Sequence, residues 1–209
     1  MTWTNGEYAP KQRRAEEKKE RLMDAALKRF SEDGYHGATA KAIAADAGVA
    51  TGSFYRYFKD KKALFLAVCM RLEEGIMQGI FETGERLRRE GAGPREVIET
   101  LVSFSIASHR PNRDFHREVL AMQMQDEDVA AYIRGGEDRV RQRLRDFLSA
   151  MRAALRVEDM DAAVELTHIV VEEVAHRSVL MESPLGAERM SGAAVDLLGR
   201  YLLRDGEGD

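Results

Sequence analysis

A single cysteine, Cys69, and four prolines are all that the 209 residues hold of the residue types that most often staple or break a chain. One cysteine rules out an intrachain disulfide and a metal centre built on thiolates, and Cys69 reads as an ordinary buried thiol. Few prolines, together with 33% charged and 44% apolar residues, suit a soluble helical protein. No apolar run approaches the ~20 residues of a membrane span. The first 20 residues carry no apolar signal-peptide core, so the expected location is the cytoplasm. No repeat of 20 to 50 residues and no low-complexity run is present. Missing too are a Ser-His-Asp order, a phosphate-binding glycine loop and a carboxylate pair in a supporting context, so the chain reads as a non-enzyme without a cofactor. At 23.5 kDa it is long enough to bury a substantial core, as one domain or two small ones.

What is present is one informative stretch, Thr39 to Phe58. Thr39 caps a short helix with Ile43 and Ala44 on its apolar face. Gly48 then supplies the left-handed backbone that lets the chain turn sharply and restart. Val49, Phe54 and Tyr57 or Phe58 recur at helical spacing and pin a second helix to the first, the pattern of a helix-turn-helix. Thr51, Gly52, Ser53, Tyr55 and Arg56 are left facing outward: hydroxyls, a close-approach glycine, a phenol and a guanidinium, groups suited to phosphate oxygens and base edges. Tyr57 lies beside them. Thr39, Lys41 and Lys61 are the expected phosphate anchors, with Asp60 capping the helix that Lys61 begins. Arg56 is the expected direct base contact.

The run Phe30-x-x-x-Gly34-Tyr35-x-x-Ala38-Thr39, then Ile43-Ala44-x-x-Ala47-Gly48-Val49, then Gly52-Ser53-Phe54-Tyr55-x-Tyr57-Phe58-Lys59-x-Lys61-x-x-Leu64 resembles the DNA-binding domain of the TetR family of transcriptional regulators. The resemblance covers residues Arg21 to Met70; beyond it only length and helical character are shared. It implies an all-α homodimeric repressor whose variable C-terminal domain binds a small molecule and thereby releases a palindromic operator. The implied organisation is a disordered or basic arm over residues 1–14 and a three-helix DNA-binding domain over 15–62. A connecting helix over about 60–89 leads into a larger helical ligand-binding and dimerisation domain over 63–209.

The net charge of −4 fits this once divided along the chain. Pro10 to Phe65 hold 13 Lys+Arg against 8 Asp+Glu, a surplus of +5, and the other segments balance at −9. Positive charge is concentrated where phosphate would lie. Charge alone is equally well read as a solvated helix.

Along the chain, Leu22, Ala25, Ala26, Leu27 and Phe30 mark a helix from about Ala15 to Asp33, closed by Gly34. A long helix follows to about Arg89, with Gly75, Gly79 and Gly84 marking a bend or close packing. Further helices span about Pro94–Ser108, the most apolar and so central, Pro111–Met124, and Asp126 or Asp128 to Leu155, the last kinked or split at Gly135-Gly136. The final two, from Asp159 to Ser183 and after Pro184, are amphipathic and suited to pairing with their copies as a four-helix bundle.

In the C-terminal half, Phe104, His109, Phe115, His116, Met122, Met124 and Tyr132 fall on three consecutive helices that would enclose a cavity in the family architecture, with a histidine or Arg177 orienting a polar end. Core filling is the plainer reading of each. His168, Glu172 and His176 share one helix face at i, i+4, i+8 and would hold a metal only with a partner such as Glu118 or His116. The spacing of a catalytic zinc helix is absent. They are expected to be hydrogen-bonded groups at an interface or a pocket wall, with no metal. Two other readings stay open: a DNA-organising or division-associated protein using the same reader without an inducer, and a metal-dependent enzyme through His168 and His176.

Overall fold

The first helix of the computed structural model, which describes residues 8–181 and 183–206, begins earlier than its apolar spacing implies. Helix α1 runs Tyr8–Gly37, so residues 8–14, expected as part of an arm, form its opening turns. Residues 11–14 are Lys, Gln, Arg and Arg, all good helix formers. An Arg13–Glu17 pair one turn apart, at 3.4 Å, supports the helix further. Residues 1–7 of the expected arm lie outside the described residues. Gly34 sits at φ 71°, ψ 170°, breaking the helix where the sequence suggested, and a last turn follows to Gly37.

Helices α2 (Ala40–Asp46) and α3 (Thr51–Tyr57) come next, then α4 (Lys61–Arg89). Leu22, Ala26 and Phe30 of α1 pack with Ile43, Ala44, Phe54, Leu64, Phe65 and Val68 into one buried core. That core does not close at the end of the three-helix head. Phe115 and Met122 of α6 (Arg113–Gln125) and Val129 of α7 (Glu127–Ala150) complete it. Phe65 stands at the junction, its ring centroid 5.2 Å from those of Phe30 and Tyr35 and 5.4 Å from that of Phe115. Each such buried ring pair contributes about 0.5–1.5 kcal/mol beyond the area it buries.

Helix α5 (Pro94–His109), expected to be central, packs against α4, α8 (Met160–Val179) and α9 (Gly186–Leu202). Ile98, Val102 and Ile106 meet Ala163, Val164, Ala175, Val195, Leu198 and Leu202 in a second core. Arg156 and Arg204 donate their backbone N–H groups to Leu202 and Ala154, fastening the end of α9 to the short 3₁₀ turn Arg152–Ala154.

Helix α7 is continuous through Gly135-Gly136, where a kink was expected. Gly136 serves approach rather than bending. A Cβ on Gly136 would lie 2.7 Å from Glu73 Oε2 of α4, and one on Gly79 would lie 2.5 Å from the Phe104 ring. Among the described residues no helix is long and apolar enough to cross a membrane.

Candidate DNA-reading helix and effector cavity

The turn between α2 and α3 is made by Gly48 at φ 64°, a region costly for any residue with a side chain. Its N–H donates to Ala45 O, and Val49 N–H donates to Ala44 O, closing the turn against α2. Thr39 Oγ1 accepts from Ala42 N–H at 3.1 Å, the cap expected of it. Arg29 of α1 grips Asp46 at the end of α2 through Nε at 2.5 Å and Nη2 at 3.1 Å. This pair raises the arginine's pKa and lowers the carboxylate's, side-chain hydrogen bonding being the main cause for both. Phe54, fully buried, and Phe58 anchor α3 in the core.

Opposite Phe54, Thr51, Gly52, Tyr55 and Arg56 are exposed, and Ser53 and Tyr57 are half-buried at the edges of that face. Tyr55 is the largest exposed apolar surface here, at 57%. Thr39 and Lys41 lie exposed at the start of α2. Lys61 departs from its expected place. Its ammonium turns back and donates to Tyr35 O at 2.5 Å and Ala38 O at 2.8 Å, 4.4 Å from the centroid of the Tyr35 ring. Burial lowers its pKa. The carbonyls left by the chain reversal after Gly34 need a donor, and Lys61, opening α4 beneath them, supplies it. Lys62 is likewise engaged, at 2.7 Å from Asp126 and 2.8 Å from Asp128.

A cavity of about 510 Å³ opens between α4, α5, α6, α7 and α8. His109, Phe115, His116, His168, Glu172 and His176 line it, as the sequence reading grouped them. Four other expected residues stand elsewhere. The Phe104 ring packs on Gly79, Met122 is buried in the first core, the Tyr132 hydroxyl faces Glu73 at 3.4 Å, and Arg177 pairs with Glu173 at 2.5 Å on the surface. Met124 is 87% exposed. Helical spacing assigns these residues to helices but does not say which side of each helix meets its neighbours.

Polar groups gather at one part of the wall. His176 Nε2 lies 3.4 Å from Glu172 Oε2, and His109 Nε2 lies 4.0 Å from the same oxygen. The His109 and His116 rings lie 4.7 Å apart, tilted by 33°. Burial, then the positive charge that His109 and His176 can carry, holds the His116 pKa down to about 3. Burial also lowers that of His176, against the pull of Glu172. Glu118, considered beside His116 as a ligand, points the other way and accepts from Tyr35 N–H at 2.5 Å.

Residues 22–68 match the model of the tetR family of bacterial regulatory proteins, and residues 94–202 match the tetracyclin repressor-like C-terminal domain. The chain belongs to the TetR family. It is therefore a DNA-binding transcriptional regulator of helix-turn-helix type rather than an enzyme, all-helical with its reader at the N-terminal end. It is similar to the HTH-type transcriptional regulator YerO of Bacillus subtilis, 31% identical over 99 residues, covering 47% of this chain and 34% of YerO. The chain thus matches about a third of that relative's length. A TetR-family regulator from Mesorhizobium loti shares the fold with TM-score 0.76 and 19% identity, covering 91% of this chain and 99% of that one. SmeT, the repressor of the Stenotrophomonas maltophilia multidrug efflux pump SmeDEF, was solved with triclosan. That complex matches at TM-score 0.72 and 22% identity, over 91% of this chain and 93% of SmeT.

Within the TetR architecture, sequence reading missed the polar cavity residues Ser105, Gln123 and Thr167. It also missed that His109, from α5, rather than His168 completes the group with Glu172 and His176. Position i+4 puts residues on one helix face, but only packing brings a second helix to them.

Proposed function

We propose that this TetR-family protein is a homodimeric, sequence-specific repressor that leaves a palindromic operator when a small molecule fills the α4–α8 cavity. The observation that carries the reading is the position of α6. One side of that helix, through His116, Leu120 and Gln123, walls the cavity. From the same helix Glu118 holds the Tyr35 backbone N–H, and Phe115 packs on Phe30 and Phe65 of the DNA head. A ligand that displaces α6 therefore pulls directly on the element that positions α3. Helix α4, which begins below the reader and lines the cavity with Leu72, Ile76 and Ile80, is the second lever. Thr51, Gly52, Ser53, Tyr55, Arg56 and Tyr57 would face the major groove, with Thr39 and Lys41 on phosphates.

Dimerisation is supported by apolar side chains left in solvent on the last two helices and the turn between them. Leu166 and Ile169 of α8 are 45% and 48% exposed, Met181 and Leu185 of the turn 56% and 48%, and Leu197 of α9 56%. Paired about a two-fold axis these helices would form a four-helix interface and place the two reading helices about 34 Å apart, one duplex turn. Capture of genomic fragments by the purified protein tests the reading. A small set of palindromic sites bound by wild type, and lost with Arg56→Ala, is expected. Many dispersed sites bound equally by both proteins would support a DNA-organising role instead.

A further inference from the structure

At one end of the cavity, three side chains from two helices bring metal-ligating atoms within 4.8 Å of one another: His109 on the last turn of α5, and Glu172 and His176 on successive turns of α8. A tetrahedral ion with bonds of about 2.0–2.1 Å holds its ligands about 3.3–3.4 Å apart. The His176–Glu172 separation, 3.4 Å, already has that value. His109 Nε2, at 4.0 Å from the Glu172 oxygen, would have to draw closer to complete the set.

The tautomer of His109 is fixed by its other nitrogen. His109 Nδ1 lies 2.8 Å from Ser105 O, a carbonyl that can only accept, so Nδ1 carries a proton and, in the neutral ring, Nε2 presents its lone pair to the cavity. This is how backbone carbonyls orient imidazoles that bind metals. A plain hydrogen-bond network accounts for less. It brings His176 and Glu172 to 3.4 Å but leaves His109 Nε2 at 4.0 Å from the same oxygen, an ion-pair distance beyond hydrogen-bond range. Beside it, His116 Nε2 is buried with no partner.

We propose that His109, Glu172 and His176 bind one divalent first-row transition ion at the wall of the cavity. Two imidazoles and a carboxylate suit Zn²⁺, Co²⁺ or Fe²⁺, whereas Mg²⁺ and Ca²⁺ favour oxygen donors. Three protein ligands leave at least one coordination position, and it opens on a cavity whose wall is otherwise mostly apolar: Leu72, Ile76, Val102 and Val119 among others. The ion would select effectors with an anionic or chelating donor at one end of an apolar body. It would also cross-link α5 to α8. This deepens the proposed effector site, but metal uptake is measured without DNA or effector, so its failure and the failure of the repressor reading are separable.

The test uses the full chain without a histidine tag, stripped by chelator and titrated with Co²⁺ alone while visible d–d absorption is recorded, followed by displacement with Zn²⁺. One Co²⁺ per chain is expected, displaced by Zn²⁺. His109→Ala, Glu172→Gln and His176→Ala should each weaken binding by at least about 10- to 100-fold, the range already seen for groups one shell further out. Glu172 is partly exposed and Gln keeps its shape, so a loss there is not a folding defect. His36→Ala, on the exposed last turn of α1 beside Gln125, should bind as wild type does. Absence of the Co²⁺ spectrum in the wild type, unchanged binding by the three variants, or loss of binding with His36→Ala would each overturn the site.

Discussion

Removing Glu118 from α6 probes the joint between cavity and reader directly. Its Oε1 accepts the Tyr35 backbone N–H at 2.5 Å in a partly buried place, and a Cβ on Gly34 would sit 3.5 Å from both carboxylate oxygens. Glu118→Ala leaves that amide with no acceptor where α1 breaks. A hydrogen bond to a charged partner contributes about 1.5–3 kcal/mol, and an orphaned, partly buried donor costs the same order. With a urea m-value of about 2 kcal/mol/M, the midpoint should fall by about 0.7–1.5 M. Glu118→Gln keeps an acceptor oxygen and loses only the charge, so about half that fall is expected. The assays are urea unfolding followed by circular dichroism and hydrogen exchange at the Tyr35 amide, which should quicken about 10-fold or more in the alanine variant. A midpoint within error of wild type, with unchanged Tyr35 exchange, would refute the joint.

Three further outcomes follow from particular side chains. Lys61→Met should lower stability, because the Tyr35 and Ala38 carbonyls lose their donor, while leaving the salt slope of operator binding unchanged; Lys41→Ala on the exposed face of α2 should reduce that slope by about one. Burial pushes the Cys69 thiol up to about 12, so native protein at pH 8 should resist alkylation, and Cys69 should react only as the chain unfolds; rapid labelling of folded protein would contradict its burial. Leu197→Glu, at a position 56% exposed in the single chain, should leave monomer stability within about 0.5 kcal/mol yet shift sedimentation from dimer to monomer.

The reader was legible in the sequence because its constraints are local. Gly48 is required by a positive φ, Thr39 by the amide it caps, and Ile43 and Phe54 by helical spacing. The body was legible as a succession of helices and no further. Gly135-Gly136 carries the same signature whether it breaks a helix or admits a neighbour, and only the position of Glu73 decides for the second. Residues 8–14 lacked apolar periodicity, which signals burial rather than helicity, so a helix there left no trace in the pattern. Lys61 was read by its charge and its place after the reader, yet the unpaired carbonyls after Gly34 compete for the same ammonium. His109 was grouped with the cavity correctly, but its meeting with Glu172 and His176 depends on α5 crossing α8, which helical spacing does not encode.

Hydroxyl-radical footprinting of the full chain on an operator recovered from its genomic fragments bears most directly on the claim that α3 reads duplex DNA in paired copies. Two protected tracts on one face, centred about 34 Å apart and both lost with Arg56→Ala, are expected. A single tract, or uniform protection unchanged by Arg56→Ala, would contradict it.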